Sequence, residues 1–123
     1  MEQILDCEIF RKLVHAKKRT IVYTNHAIAQ ARKRNIILDK EGMIPVFERD
    51  LSEKPYRVVE CESENPKERK FKAYYQASGG GFMVYILVLN SQTRLISTYK
   101  TSKKLQQKMY DYEKSTVRRT KRK

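Results

Sequence analysis

Residues 69–90 of the chain read RKFKAYYQASGGGFMVYILVLN and contain two runs that are typical of β-strands. In the first run, 69–76, apolar side chains alternate with polar ones, which predicts a strand with one buried face. The second run, 82–89, is apolar throughout and predicts a central strand covered on both faces. The glycines at 79–81 favour positive φ angles, so they predict a hairpin between the two strands.

Two further segments, 56–61 and 94–100, are predicted to extend this hairpin into a larger sheet. Each is separated from its neighbour by a short polar stretch, at 63–66 and at 90–93, that is typical of a turn. Strands joined by three short turns in succession are antiparallel neighbours. The sequence therefore predicts a curved, four-stranded antiparallel sheet.

The segments before this sheet predict helices. Apolar residues recur at three- and four-residue steps over 3–14, which predicts an amphipathic helix over 2–17. A short strand is predicted over 20–23, and then a helix over 26–34 that Thr24 or Asn25 can cap. Another helix is predicted within 39–51, with Asp39 as its entry signal and Pro45 in its first turn.

The last helix is predicted over 102–113, and the residues after it, 114–123, form a basic tail that we expect to be disordered. The chain of 123 residues is long enough for one domain. We therefore predict a single α+β domain over 1–113, in which N-terminal helices pack on the four-stranded sheet and a C-terminal helix closes it.

The charge balance favours a polyanionic partner. The chain has 27 Lys and Arg against 14 Asp and Glu, a net charge of +13, and removal of the tail's six cations still leaves +7. Half of the acidic residues lie between Glu48 and Glu68. This asymmetry predicts one positive face that follows a phosphate backbone. Four tyrosines are candidate stacking planes for bases on it: Tyr74, Tyr75, Tyr85 and Tyr99.

Other classes of protein are disfavoured by the composition. The two cysteines, Cys7 and Cys61, lack the spacing of a disulfide framework or a zinc site, so no metal and no cofactor are predicted. The longest apolar run has eight residues and the N-terminus lacks the basic start of a secretory signal. We expect a soluble, cytoplasmic protein without a membrane segment.

The two histidines have different settings. RNA cleavage without a metal requires an acid, a base, and cations or N–H donors that stabilise charge on the phosphate. His15 lies late in the first predicted helix, where a solvated role is the expectation. His26 follows the capping pair at the start of its helix, where free N–H groups also attract a phosphate. The residues alone leave two roles open for His26, a structural or capping one and a phosphate-binding or catalytic one.

A family resemblance rests on two stretches. Residues 22–36 read VYTNHAIAQARKRNI, a short strand followed by a T-x-H-A motif and an arginine-bearing helix that ends in R-x-I. Residues 95–100, LISTYK, form the last strand with a hydroxyl, an aromatic and a basic residue. Together, and in this order, they resemble the small RelE-like domains of the barnase, EndoU, colicin and RelE nuclease class, over roughly residues 20–108.

The resemblance implies a metal-independent endoribonuclease of the toxin type, in which His26 is the acid or base. Ser97 matches the usual hydroxyl of the last strand, and Tyr99 and Lys100 match its aromatic and basic followers. Thr98 is the alternative hydroxyl, because a shift of one residue exchanges the faces of a strand. Regular alternation groups Leu95, Ser97 and Tyr99 on one face and Arg94, Ile96, Thr98 and Lys100 on the other, and the sequence leaves open which face lines the cleft.

The implied partners are RNA, either tRNA or ribosome-bound mRNA, and an acidic antitoxin protein. The predicted nucleic-acid-binding residues are Arg32, Arg57, Lys72, Arg94, Lys100, Lys103 and Lys104. Two alternatives need no catalysis. One is a nucleic-acid-binding regulator or packaging protein that uses the basic face and the tail, and the other is a protein-interaction module whose sheet edge pairs with a partner strand.

Overall fold

The computed structural model of the protein describes residues 2–16, 20–34, 36, 44–77 and 80–101. The described helices are α1 (Cys7–His15), α2 (Asn25–Lys33) and α3 (Pro45–Leu51). The described strands are β1 (Gln3–Leu5), β2 (Thr20–Tyr23), β3 (Arg57–Cys61), β4 (Arg69–Gln76), β5 (Phe82–Leu89) and β6 (Gln92–Lys100). The predicted C-terminal helix and tail, with Lys103 and Lys104, and the entry signal at Asp39 lie outside the described residues.

The strands form one mixed sheet in the order β1-β3-β4-β5-β6-β2. The antiparallel meander from β3 to β6 is present. However, β1 pairs antiparallel with β3, and β2 pairs parallel with β6. The prediction of a four-stranded antiparallel sheet is therefore wrong, because both outer strands are short and find partners that are distant in sequence. Thr20, for example, lies opposite Gln92.

The first predicted helix begins later than its apolar pattern indicates. Asp6 is the N-cap of α1, and its carboxylate accepts hydrogen bonds from the backbone N–H groups of Glu8 and Ile9 at 2.8 and 3.1 Å. The residues before this cap are extended and pair with β3, with Ile4 opposite Val59. The prediction of a helix over 2–17 is wrong for β1, because two adjacent apolar residues, Ile4 and Leu5, fit a helical turn and a short edge strand equally well.

The other helices follow the predicted signals closely. Thr24 caps α2, and its hydroxyl accepts the Ala27 N–H at 3.1 Å. Pro45 is the first residue of α3, as its fixed φ favours. The cap residue of α3, Ile44, has no side-chain oxygen, and its N–H donates instead to the Tyr23 hydroxyl at 3.2 Å. Tyr23 in turn donates to Glu48 at 3.2 Å, so β2 anchors the start of α3.

All three helices contribute to a single large core on one face of the sheet, which we call the core face. Phe10 of α1 lies against Phe71 with ring centres 5.3 Å apart, and Phe47 of α3 lies 4.9 Å from Tyr85. Ala27 and Ala31 bring α2 into the same cluster. The opposite face, the distal face, has a smaller cluster that contains Phe82, Val84, Tyr56, Tyr74 and Tyr99. Consequently β5 is buried on both sides, as its composition predicts.

No helix in the described ranges is long and apolar enough to cross a membrane.

The ends of α1 and α3 are joined by His15, whose Nε2 lies 3.1 Å from the backbone oxygen of Leu51. This hydrogen bond gives His15 a structural role between two helices.

A buried polar pair lies inside the core. Asp50 of α3 is 6% exposed, and the fully buried Tyr85 donates its hydroxyl to Asp50 Oδ2 at 2.7 Å. Burial raises the pKa of Asp50, and the Tyr85 hydrogen bond and the Arg49 guanidinium, 3.6 Å away, only partly oppose it. The folded protein therefore resists ionisation of this carboxyl group.

The raised pKa predicts how stability depends on pH. A carboxyl group whose pKa is higher in the folded than in the unfolded protein destabilises the fold as the pH rises from about its ordinary value, 3.8, through the folded value. We expect Asp50→Asn, which removes the ionisation, to lose less stability than wild type as the pH rises from about 3.8 through the folded pKa of Asp50. Urea unfolding midpoints at several pH values measure this.

Glu60→Gln is the control of opposite sign. Arg69 donates two hydrogen bonds to Glu60, at 2.7 and 2.9 Å, and they lower the pKa of that carboxyl. Glu60 thus stabilises the fold above its unfolded pKa, and its contribution is lost as the pH falls through the folded value. Overlapping pH profiles for Asp50→Asn and wild type would contradict the assignment for Asp50.

Candidate nucleic-acid interface

The distal face is built from alternate residues of the meander. The strand register aligns Arg57, Tyr74, Val84 and Tyr99 in one row across β3 to β6. The next row is Val59, Lys72, Ile86 and Ser97. Further along, Cys61, Lys70, Val88 and Arg94 form a third row. The cations of these rows border a buried apolar centre contributed by β5. None of the twelve row residues is acidic, but the Glu68 carboxylate, just before β4, lies against Arg94.

A β-bulge decides which residues of β6 reach the distal face. Leu87 pairs with Leu95 and the adjacent Ile86 pairs with Ser97, so Ile96 is the extra residue. The bulge interrupts the alternation, and Ser97 and Tyr99 join Arg94 on the distal face. The predicted grouping of Leu95 with Ser97 is therefore wrong, as is that of Arg94 with Thr98, because regular alternation does not anticipate an inserted residue.

Thr98 and Lys100 lie on the other side of β6. Thr98 is opposite Tyr85 and fully buried at the core face, where its hydroxyl has no hydrogen-bond partner in the described part of the chain. Lys100 is opposite Met83 and exposed at the strand end. Of the two candidate hydroxyls in the last strand, Ser97 is thus the one that shares a face with Lys72.

Helix α2 lies along the edge of β6 and fixes Ser97. Beyond Leu95, where β2 ends, the Thr24 hydroxyl donates to the Ile96 carbonyl at 3.1 Å. Nearly two helical turns after Thr24, the amide oxygen of Gln30 accepts hydrogen bonds from the Ser97 hydroxyl and, at 3.3 Å, from the Thr98 N–H. Gln30 therefore takes the place of a neighbouring strand at this edge, and the Ser97 hydroxyl is already engaged.

His26 lies in the first turn of this same helix and its side chain is exposed. The helix start is held on β6 because the Thr24 N–H also donates to the Leu95 carbonyl at 3.1 Å. His26 and Ser97 are thus attached to one helix–strand unit, with His26 beside the N-terminal N–H groups of α2 and Ser97 near its middle.

Cations and tyrosine rings are interleaved on the distal face. The Arg34 guanidinium carbon lies 5.5 Å from the centre of the Tyr99 ring, and the Lys72 ammonium lies 5.7 Å from the centre of the Tyr74 ring. Lys72 also interacts electrostatically with both tyrosines. We call these four residues, Arg34, Tyr99, Lys72 and Tyr74, the cation–tyrosine stripe.

The stripe keeps its lysine charged. Burial lowers the pKa of the Lys72 ammonium, but the interactions with Tyr74 and Tyr99 outweigh burial, so the pKa lies above its ordinary value. Lys72 therefore carries a positive charge at neutral pH. Beneath the stripe the aromatic contacts continue through the fully buried Phe82, whose ring centre lies 6.0 Å from that of Tyr74 and 5.1 Å from that of Tyr56.

The remaining predicted cations are scattered. Arg57 is half-buried beside Tyr74 in the register of the distal face. Arg94 reaches the same face, but its guanidinium binds the Glu68 carboxylate at 3.2 and 3.3 Å, which compensates its charge. Arg32 is exposed on α2, and no interaction described here links it to the stripe. Tyr75 and Tyr85, predicted as stacking planes, are buried at the core face and unavailable to a base.

Two residues of the interface escaped prediction. Arg34 is near the end of α2, where the sequence indicates only a favourable interaction with the helix dipole. Gln30 carries no catalytic signature, and its role depends on the approach of α2 to β6. The only sequence signal for these two residues was their spacing of four, which places Gln30 and Arg34 on the same side of α2.

Other kinds of site lack support in the described part of the chain. No group of three His, Cys, Asp or Glu side chains there is arranged to hold a metal ion. An open cavity of about 400 Å³ is lined by Asp50, Glu53, Lys54, Pro55, Tyr56, Tyr75 and Gln76. None of the predicted catalytic residues or phosphate-binding cations borders it.

Comparisons with protein-family models, with curated proteins and with solved structures found no match to this chain. No relative therefore contributes a fold, an activity or a set of site residues.

The contacts of Gln30 predict its contribution to stability. We expect Gln30→Leu to lower the free energy of unfolding by about 1–3 kcal/mol, because the buried edge of β6 loses two hydrogen bonds to an acceptor. Gln30→Glu, which keeps an oxygen at the same position, should cost less. Urea unfolding of the three proteins tests this, and a Leu variant as stable as wild type would contradict it.

Proposed function

We propose that the protein binds RNA, with the distal face of the sheet as its binding surface. The observation that carries the proposal is the cation–tyrosine stripe, in which Lys72 and Arg34 each lie over a tyrosine ring. Cations bind phosphates and aromatic rings stack on bases, so this combination suits a nucleic acid better than it suits an acidic protein or a lipid headgroup.

The charge distribution supports the same partner. The strand residues that face the distal side of β3 to β6 include Arg57, Lys70, Lys72 and Arg94 and no acid. Glu60, the acidic residue of β3, is aligned with Phe71 and so belongs to the other side of the sheet. Glu68 neutralises Arg94 at one end of this face. The part around Arg57 and Lys72 has no acidic strand residue, which favours a phosphate backbone there because carboxylates would repel it.

Neutralising the stripe is expected to weaken RNA binding and its salt dependence. The double variant Lys72→Gln, Arg34→Gln should lower affinity for a single-stranded oligonucleotide and reduce the slope of log K against log salt by about 1.4, or about 0.7 for each lost phosphate contact. Fluorescence anisotropy at several salt concentrations measures both quantities.

The control for this experiment removes two charges elsewhere. Lys12 of α1 and Lys67 of the turn before β4 are exposed and lie outside the stripe. The variant Lys12→Gln, Lys67→Gln has the same net charge as the stripe variant. Equal loss of affinity in the two variants would show a general charge effect and contradict a binding site at the stripe.

A second candidate function is metal-independent cleavage of the bound RNA. It is favoured by the exposed position of His26 in the first turn of α2, the helix that also holds Ser97 and places Arg34 over Tyr99. In this reaction a base removes the proton of the ribose 2′-hydroxyl and an acid protonates the leaving 5′-oxygen. His26 would supply one of these groups, and Lys72 or Arg34 would stabilise the charge on the phosphorus centre.

Substitution of His26 separates cleavage from binding. We expect His26→Ala to reduce the cleavage rate by about 10²–10⁴-fold with little change in affinity, since general acid–base catalysis contributes about this much. His15→Gln, the control at the other histidine, should keep its activity. Unchanged RNA after long incubation with wild type, or equal rates for wild type and His26→Ala, would exclude His26 catalysis and leave binding as the function.

The acidic protein partner expected from the sequence would act at the same surface. A segment rich in Asp and Glu has charges complementary to the stripe and would compete with RNA for Lys72 and Arg34. The acidic protein would then inhibit RNA binding, and any cleavage of the RNA, without contacting His26.

A further inference from the structure

The cavity at the end of α3 differs in chemistry from the cation–tyrosine stripe. Its volume of about 400 Å³ is within the range of small-molecule sites, and its lining combines acidic, aromatic and amide side chains. None of the described residues that line it belongs to the stripe. The cavity is therefore a candidate site for a second ligand that is not RNA.

The buried carboxyl group of Asp50 is part of this lining. Asp50 is 6% exposed, and its Oδ2 accepts the Tyr85 hydroxyl at 2.7 Å. Its other oxygen, Oδ1, lies 3.6 Å from the mostly exposed Arg49 guanidinium, which is longer than a hydrogen bond. Asp50 can therefore accept a further hydrogen bond from a ligand in the cavity.

The cations near Asp50 do not compensate its charge. Burial raises the pKa of Asp50 and repulsion from the Glu53 carboxylate raises it further, while Tyr85 and Arg49 oppose this only in part. Lys54 also lines the cavity, but it is exposed and forms no ion pair with either carboxylate within the described residues. A cation bound beside Asp50 and Glu53 would offset both burial and repulsion.

A guanidinium group suits this lining better than an ammonium group does. Its planar N–H groups bind carboxylates in pairs, and it is more weakly hydrated than an ammonium, so burial costs it less. Pro55 and the two tyrosines add apolar surface that suits its delocalised charge, and Gln76 adds an amide group. Beyond Asp50 and Glu53, the described lining has no further His, Cys, Asp or Glu side chain for a metal ion.

The walls of the cavity are fixed by contacts within the protein. The Tyr75 hydroxyl donates to the Glu53 carbonyl at 3.5 Å, which holds the segment after α3 against the end of β4. The Tyr56 N–H donates to the Tyr74 carbonyl at 2.8 Å and holds the other end of that segment on the same strand. A ligand therefore enters a preformed site and loses less affinity to ordering of the protein.

We propose that this cavity binds a guanidinium group, with the carboxylates of Asp50 and Glu53 as its acceptors. The site is independent of the proposed RNA binding. The group belongs either to a free guanidinium compound or to an arginine residue of a polypeptide, and both sources offer the same chemistry to the two carboxylates.

The test is an NMR titration of the ¹⁵N-labelled protein with three probes. Methylguanidinium represents the free group, N-acetyl-arginine amide represents an arginine residue, and N-acetyl-citrulline amide is the uncharged control. We expect both cations to shift the amide signals of Asp50, Glu53 and Gln76, and the citrulline compound to shift them little. Tighter binding of the arginine amide than of methylguanidinium identifies an arginine residue as the source, and the reverse order identifies a free compound.

Variants locate the acceptors. Asp50→Asn and Glu53→Gln are each expected to weaken binding of the cations at least about tenfold, since each removes a charged hydrogen-bond acceptor. Glu53 is exposed, so its substitution keeps the fold even if Asp50→Asn does not. Glu64→Gln, at an exposed position before β4, is the matched control and should bind like wild type.

Three results would overturn the proposal. The first is the absence of shifts at the cavity with both cations, or equal shifts with the citrulline compound. The second is an equal loss of affinity in Glu53→Gln and Glu64→Gln, which would show a general charge effect. The third is weaker binding by Lys54→Gln, which would indicate that Lys54 holds an anion, whereas a guanidinium site should bind at least as tightly without this lysine.

Discussion

The edge of β6 is the constraint on which the candidate site depends. A strand edge exposes backbone N–H and C=O groups that require partners when they are buried. Here β2 covers the first half of that edge, and α2 covers the rest through Thr24 and Gln30. Because these bonds fix α2 against β6, Arg34 lies over the Tyr99 ring and His26 is held at the outer end of the same unit. The position of each functional candidate on α2 therefore follows from hydrogen bonds that complete the sheet.

The second organising feature is the division of the sheet into two unlike faces. The core face holds the large aromatic and aliphatic cluster that α1, α2 and α3 share. The distal face has small apolar clusters bordered by Lys72 and other cations. Since β5 is apolar and buried on both sides, it separates the two faces, and on the distal side Tyr74 and Tyr99 pack against it. One strand thus stabilises the fold and shapes the surface at which RNA is proposed to bind.

The correspondence between sequence and structure was closest where the signal is local. The caps at Thr24 and the proline at the start of α3 were recognised from residue type, because a cap is satisfied by atoms within a few residues. The start of α1 was misplaced because the apolar period continues through Asp6 into β1, although Asp6 is itself a residue type that favours an N-cap. Periodicity cannot distinguish an edge strand of three residues from a helical turn, and pairing with β3 decides the matter.

Residue pattern and composition alone were sufficient to locate the meander strands, the hairpin glycines, the basic character of the chain and His26 at a helix start. Each of these depends on side-chain alternation, turn chemistry or capping within a short segment. Tertiary structure alone decided that β1 and β2 extend the sheet, that Gln30 holds Ser97, and that a bulge at Ile96 places Ser97 on the face of Arg94 rather than that of Leu95. These features depend on contacts between segments up to about seventy residues apart, and local sequence carries no information on which backbone groups will meet.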